Sequence, residues 1–428
     1  MLTITGTGGM WDDQSWGLYS NQIRKVVFGE GVTGIGSWTF HRCGNLTDVT
    51  IPESVVRIGE GAFYECSGLE SIVIPESVTT LESSVFGNCL NLRTVTFEGD
   101  APEMGDFLFM NVTATAYYPA NNDTWTEDKL LDHSGSITWV PYEIPVTEIA
   151  SGWSGATQWI LTDDGTLTVY GKGNMKNYGY NGGQPWLNKG VEIRKVVIEE
   201  GVTAIGTGAF RNLTTLKSVT LPESGLKTIG EAAFYGCSAL KEITIPRGIY
   251  TVWAYTFKGC TSLESVTFSK TLIKVDQGAF ENCTSLPYIY FPTNVEIIGS
   301  WSFKGCTGLV EADMTWTDAT KIREGAFKNC SSLTTIHLPV NIQILGDSCF
   351  YGIGATSFTV PDTVTSIEAW CFARAYSLKN IYFEGDAPTI GEGAFNKITL
   401  TAYYPKNNTT WKPAIMQNYG GTVTWKAN

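Results

Sequence analysis

Residues 63–86, FYECSGLESIVIPESVTTLESSVF, decide the fold. Apolar side chains fall at Phe63, Cys66, Leu69, Ile72, Ile74, Val78 and Leu81, and the next unit opens at Phe86. Written as a pattern, this is F-x2-C-x2-L-x2-V-x-I-P-x2-V-x2-I-x4-F, and it returns about every 23 residues. A fixed period of that size marks a solenoid: one coil cannot bury both of its faces, so coils stack and share a core.

Spacing within the unit gives a coarse structure. The segment L-x2-V-x-I-P alternates apolar and polar residues, which predicts a short strand. Its proline ends the strand, having no N–H for a ladder. The segment V-x2-I-x4-F predicts a second turn or short strand. In FxxCxxL the apolar residues lie three apart, which predicts a helical or 3₁₀ turn. Asn, Ser and Gly supply the corners.

Working outward, the repeat phenylalanines form two arrays. The first is Phe40, Phe63, Phe86 and Phe109; the second runs Phe210, Phe234, Phe257, Phe280, Phe303, Phe327, Phe350, Phe372 and Phe395. Each array opens similarly, with IRKVVFGEGVTGIGSWTF at 23–40 and IRKVVIEEGVTAIGTGAF at 193–210. Each also closes similarly, with FEGDAP followed by TAYYPANNDTW (115–125) or TAYYPKNNTTW (401–411). The expected organisation is therefore two capped modules, 1–142 and 143–428, with the TAYYP segments as C-terminal caps, since a terminal coil would otherwise expose its core. Ahead of the second array, alternation from Trp159 to Thr162 and Thr166 to Tyr170 around Asp164-Gly165 predicts a hairpin. The first array's head, LTITGTGGM, matches only the later part of that hairpin region, which suggests a trimmed start.

Composition narrows the function. The chain of 428 residues is 43% hydrophobic and 17% charged, as folded chains are. A net charge of -13 argues against nucleic acid and against electrostatic attachment to an anionic membrane. No apolar run is long enough to insert in a bilayer. Eight of the ten cysteines stand three residues after a repeat Phe, from Cys43 to Cys330. Such a column reads as free, buried thiols acting as small hydrophobes. Stacked coils roughly 5 Å apart would also allow bridges by distance alone. Without CxxC or Cys/His clusters, neither zinc nor any other metal or cofactor is expected.

The repeats resemble the BspA-like leucine-rich repeats of bacterial surface proteins, which also carry heads of the kind DDGTLTVYGKGNM…PW…IRKVVIEEGVTAIGTGAF (163–210). The likeness covers nearly the whole chain. It slips at Leu213, which stands in the cysteine column, and near Phe350, where Cys349 and Cys371 precede their Phe. The resemblance implies a leucine-rich-repeat solenoid of short parallel strands and turns. It also implies a cell-surface or secreted location and a non-catalytic binding or adhesion role. The partner would be an extracellular protein, matrix component or glycan. A structural spacer or a glycan-binding module of a larger surface protein is the alternative.

Two variable positions per strand should point outward and stack into columns. In the second module one column reads Ser218, Glu242, Ser265, Tyr288, Glu311, Thr335, Ser357, Asn380. The other reads Thr220, Thr244, Thr267, Tyr290, Asp313, His337, Thr359, Tyr382. Ser and Thr dominate, as suits a solvated sheet. Tyr288, Tyr290, Glu311, Asp313 and His337 interrupt that background, and with Tyr382 they are the candidate ligand-binding residues. Chance variation on a wet face is the competing account.

Glu311 and Asp313, two apart on a strand, would have Cα atoms roughly 6.6 Å apart, a spacing compatible with a glycosidase pair. An open sheet face offers nothing to raise one carboxyl for acid catalysis, so no catalytic residue is assigned. The histidines His41, His133 and His337 are scattered, and the GxG triplets at 6–8 and 171–173 read as turns. Trp38, Trp301 and Trp370, two before a repeat Phe, with Trp253 and Trp316, are either edge-packing residues or exposed platforms for a sugar or a protein.

Overall fold

The computed structural model describes the chain except residues 11, 13–15, 17, 18, 123, 144, 180 and 181. Part of the first module's head lies outside the described residues. Two compact units are present, Met1–Pro145 and Val146–Asn428. Their cores share no residue. Each is a solenoid built from a front row and a back row of short parallel strands. No α-helix occurs among the described residues.

In the first unit the front row begins Leu2–Ile4, Lys25–Phe28, Asp48–Thr50 and continues Ser71–Ile74, Thr94–Phe97, Thr113–Pro119, Ser136–Tyr142. The back row is Gly8–Gly9, Val32–Ile35, Arg57–Ile58, Thr80–Leu81, Glu103–Met104. In the second unit the back strands from Thr251–Val252 to Thr389–Ile390 form one seven-stranded ladder. An antiparallel cap precedes that unit's coils. Thr157–Thr162 pairs with both Glu148–Ser154 and Thr166–Tyr170, and Gly165 turns the hairpin at φ 80°. Thr166–Tyr170 then starts the parallel stack on Lys195–Ile198.

The repeat phenylalanines are buried and stack face to face along each axis. Phe40, Phe63, Phe86 and Phe109 have successive centroids 5.5 to 5.9 Å apart. In the second unit Trp186 starts the column, 5.5 Å from Phe210, and Phe395 ends it. Coil spacing sets this distance, and each offset-stacked pair adds about 1 kcal/mol to what burial supplies.

The thiols have a role that spacing does not reveal. Cys66 Sγ–H donates to the Phe40 carbonyl of the preceding coil at 3.1 Å, and Cys89, Cys237, Cys260, Cys283, Cys306 and Cys330 repeat this one coil on. All ten cysteines are free and buried. Burial pushes Cys43 up to about 11 and Cys89, Cys260 and Cys306 up to about 12. The column is therefore thiol, not thiolate, and it joins coils by hydrogen bonds instead of bridges.

The FxxCxxL stretch is not helical. Its amides alternate in direction: Cys66 N–H bonds to Phe63 O within the coil, while Phe63 N–H bonds to Val85 O in the next. Two left-handed residues per coil enforce this, at two before and two after the Phe. Examples are Ser84 (φ 59°) with Asn88 (58°), and Trp301 (58°) with Gly305 (75°). A helix cannot pass through such residues. The same geometry seats the three tryptophans placed two before a Phe, although Trp370 stays 41% exposed. The rings of Trp38, Trp301 and Trp370 lie over Gly61, Gly325 and Gly393 of the following coil, where an added Cβ would come within 2.5, 2.3 and 3.1 Å of them. They pack against the turn edge.

Both C-terminal caps use one polar latch. Trp125 Nε1–H donates to Gly99 O and Trp411 Nε1–H to Gly385 O, while Asn122 and Asn408 donate to Asp100 and Asp386. The Thr124 and Thr410 hydroxyls accept from Ala101 N and Ala387 N. Phe97 then packs on Trp125, and Phe383 on Trp411, at 4.9 and 4.7 Å. The repeated FEGDAP and TAYYPxNNxTW motifs encode this closure.

Candidate functional site

The front row of the second unit is divided into blocks, and one block is the three-stranded sheet Tyr288–Tyr290, Glu311–Asp313, Thr335–His337. Its register places Tyr288 beside Glu311 and Glu311 beside Thr335, and likewise Tyr290 beside Asp313 and Asp313 beside His337. The intervening Ile289 and Ala312 are fully buried. Strand alternation therefore turns the candidate side chains outward. Pro287 marks one boundary of the block. Elsewhere the equivalent amide, such as Glu264 N–H, donates to the preceding coil at Lys241 O. Proline has no N–H to give. The other boundary is the coil from Phe350 to Phe372, which is one residue shorter than most before its front strand.

Five of the six candidate residues share this block. Tyr288 and Tyr290 are 49% and 55% exposed, with rings nearly parallel at 18° and centroids 6.4 Å apart. His337 Nε2 lies 3.6 Å from Glu311 Oε1 on the adjacent strand. Reduced hydration and then the Glu311 carboxylate, with lesser effects from Tyr288 and Asp313, push the Tyr290 phenol above its usual value. It remains a neutral hydroxyl, able to donate, across the physiological range. Tyr382 is not in this block. It lies in the sheet that runs on into the C-terminal cap, where its ring stacks on Tyr403 at 4.8 Å and 9°.

Asp313 is partly committed to its own corner. Its Oδ1 accepts from Thr315 N–H at 2.9 Å and from Thr315 Oγ1–H at 2.7 Å. That coil carries an extra residue between Leu309 and Ile322, and Met314-Thr315 replaces the usual apolar-Pro pair. The enlarged corner leaves Trp316 69% exposed, the most exposed tryptophan among the described residues. Val340, half-exposed on the next corner, donates its N–H to Thr315 O at 3.2 Å. The longer coil was visible as a Phe303-to-Phe327 spacing one residue over the usual period. Its link to Trp316 was not.

A stack of short parallel strands around a phenylalanine ladder, closed by aromatic caps, defines a leucine-rich-repeat solenoid. The BspA type leucine-rich-repeat region is matched in six copies over residues 18–116, 187–310 and 313–419, and the chain belongs to that family. No curated protein sequence matches it. Among solved structures it is similar to a leucine-rich repeat protein from Bacteroides ovatus (21% identity, 94% of this chain and 92% of that one, TM-score 0.41). It is also similar to the T. pallidum leucine-rich repeat protein (26%, 46% and 86%, 0.37). A third is a leucine rich cell surface protein from Faecalibacterium prausnitzii (21%, 65% and 95%, 0.29). No helix of the described residues is long and apolar enough to cross a membrane.

Proposed function

We propose that the chain is a cell-surface or secreted binding protein without catalytic activity. Its partner, an extracellular protein or a glycan, docks on the front face of the second unit around Tyr288, Tyr290, Glu311, Asp313 and His337. Tyr382 offers a further aromatic contact along the same face. The location and the adhesive role rest on what the family resemblance implies. The observation that carries the site is the register, which gathers two exposed tyrosines, two carboxylates and a histidine where most other coils present Ser and Thr. Tyrosine supplies contact area at low entropic cost, and carboxylates supply charge selectivity. Asp313, tied to Thr315, is a poor candidate for acid–base work, and an open face leaves Glu311 without the shielding a general acid needs.

The test is a screen of the whole chain against immobilised extracellular-matrix proteins and a glycan array. Replacing Tyr288, Tyr290, Glu311 and Asp313 with Ser should weaken a captured ligand at least tenfold, because central aromatic contacts dominate such interfaces. Unchanged affinity would remove the site. The exposed Trp316 favours a sugar-stacking version, in which glycan binding quenches tryptophan fluorescence and Trp316→Ala abolishes the quenching. A chain that binds nothing in either screen would favour the spacer reading.

A further inference from the structure

Eight cysteines occupy the column three after the repeat Phe. Cys349 and Cys371 stand elsewhere, one before Phe350 and Phe372. Other coils fill that position with a small side chain, such as Ala62, Ala233, Ala279, Ala326 and Ala394. Residues there stack coil on coil, because the Phe N–H of one coil bonds to the carbonyl of that residue in the next. Phe350 N–H donates to Cys371 O at 3.0 Å. The two thiols consequently meet: their Sγ atoms are 3.5 Å apart, and both side chains are fully buried. Seven of the eight thiols of the regular column, Cys66 to Cys330, are held differently, each donating to a Phe carbonyl in the coil before it. Within the described residues, this is the one thiol pair in direct contact.

We propose that Cys349 and Cys371 are a cross-linking site, where a disulfide joins two adjacent coils. Stacked residues on neighbouring coils lie roughly 5 Å apart at Cα, inside the range a disulfide spans. Closure needs the sulfurs to approach by roughly 1.5 Å, which side-chain rotation can supply. The bond falls where the front ladder is interrupted, between Thr335–His337 and Ser357–Val360. That coil is one residue shorter than most, and a covalent tie on its turn side would offset the missing front pairing. The proposal is independent of the binding site.

The reaction is thiol–disulfide exchange with a disulfide oxidant such as oxidised glutathione. The Cys349 thiolate attacks the oxidant, forming a mixed disulfide and releasing one glutathione thiolate. The Cys371 thiolate then attacks Cys349 Sγ, forming the Sγ–Sγ bond and releasing the second. The protein gives up two thiol protons, and the oxidant is reduced to two thiols. Full burial keeps reagents out of the closed coil and holds Cys371 well above the ordinary thiol range, so the bond forms as the coils assemble.

The test refolds the whole chain in a glutathione redox mixture or in reductant alone, then alkylates it in denaturant. Oxidative refolding should leave eight of the ten thiols alkylatable, lower the unalkylated mass by about 2 Da, and yield one cross-linked peptide containing Cys349 and Cys371. Cys349→Ala and Cys371→Ala, each restoring the residue other coils use, should fold and lose the cross-link. The cross-linked chain should melt roughly 5 °C above Cys349→Ala, a gap that closes in reductant. Ten alkylatable thiols after oxidative refolding, or bridges within the regular column, would overturn the proposal.

Discussion

At the residue scale, position within the coil decides what a side chain does. Cys283 contributes both volume and an Sγ–H bond to Phe257 O at 3.2 Å. Cys283→Ala should cost about 1–2 kcal/mol in urea unfolding, the sum of a small cavity and a lost weak hydrogen bond. Glu281 is a sharper case. Its side chain is 8% exposed, and the ammoniums of Lys258 and Lys304 lie 2.8 and 2.9 Å away. Burial pushes its carboxyl up, but the hydrogen bonds and charges of the two lysines outweigh that and hold it below the ordinary 4.5. A depressed folded-state value means the stabilisation is complete above pH 4.5 and is lost as pH falls through the folded pKa. Glu281→Gln should therefore destabilise by about 2 kcal/mol at pH 7. The difference from the unmodified chain should vanish progressively below pH 4.5 in a series of denaturant melts. Gly325 is constrained twice, by φ 57° and by the Trp301 ring. Gly325→Ala should cost about 2 kcal/mol. In a Trp301→Gly background a double-mutant cycle should recover the part owed to the ring and leave the backbone strain.

At the scale of elements, the C-terminal cap is the most exposed weakness of a solenoid, because a last coil has a neighbour on one side only. Trp411 closes the second unit by covering Phe383 and donating to Gly385 O. Trp411→Ala should cost about 3–5 kcal/mol. Hydrogen exchange should show protection lost first over Thr399–Tyr404 and Thr422–Ala427, with the central coils unaffected. The cap motifs were recognisable because they occur twice. Their mechanism was not, because the latch spans residues more than twenty apart and depends on one asparagine amide meeting an aspartate of the previous coil. The stretch expected to be a helical or 3₁₀ turn is a turn with i→i−3 bonds, such as Cys66 N–H to Phe63 O, that does not go on as a helix. Apolar spacing of three is shared by helices and by this left-handed corner, and only the direction of each amide separates them.

At the scale of the molecule, the two units have separate cores, and each carries its own entry coil and C-terminal cap. Val146–Asn428 expressed alone should fold, with the circular-dichroism melt of that fragment coinciding with one transition of the full chain. A failure to fold would mean that the first unit supplies stability the separate cores do not suggest. The docking proposed above belongs to this scale as well, since a partner would meet columns and not single residues.

Sequence alone determined the coil, its core positions, the two arrays and the outward columns. Period is a local property, and each repeat must satisfy the same burial rule. Hence the core positions from Phe63 to Phe86 were legible, though not the path of the Phe63–Leu69 turn or the Cys66 thiol bond, and the neighbourhood of Tyr288, Glu311 and Thr335 followed from register. Tertiary structure decided what those columns contain in space. It separated Tyr382 from the other five residues, raised Trp316 into solvent and brought Cys349 against Cys371. Each of these depends on a one-residue change in coil length, on a proline, or on a side chain reaching across coils. A repeating pattern averages such differences away, and only the stacked chain reveals them.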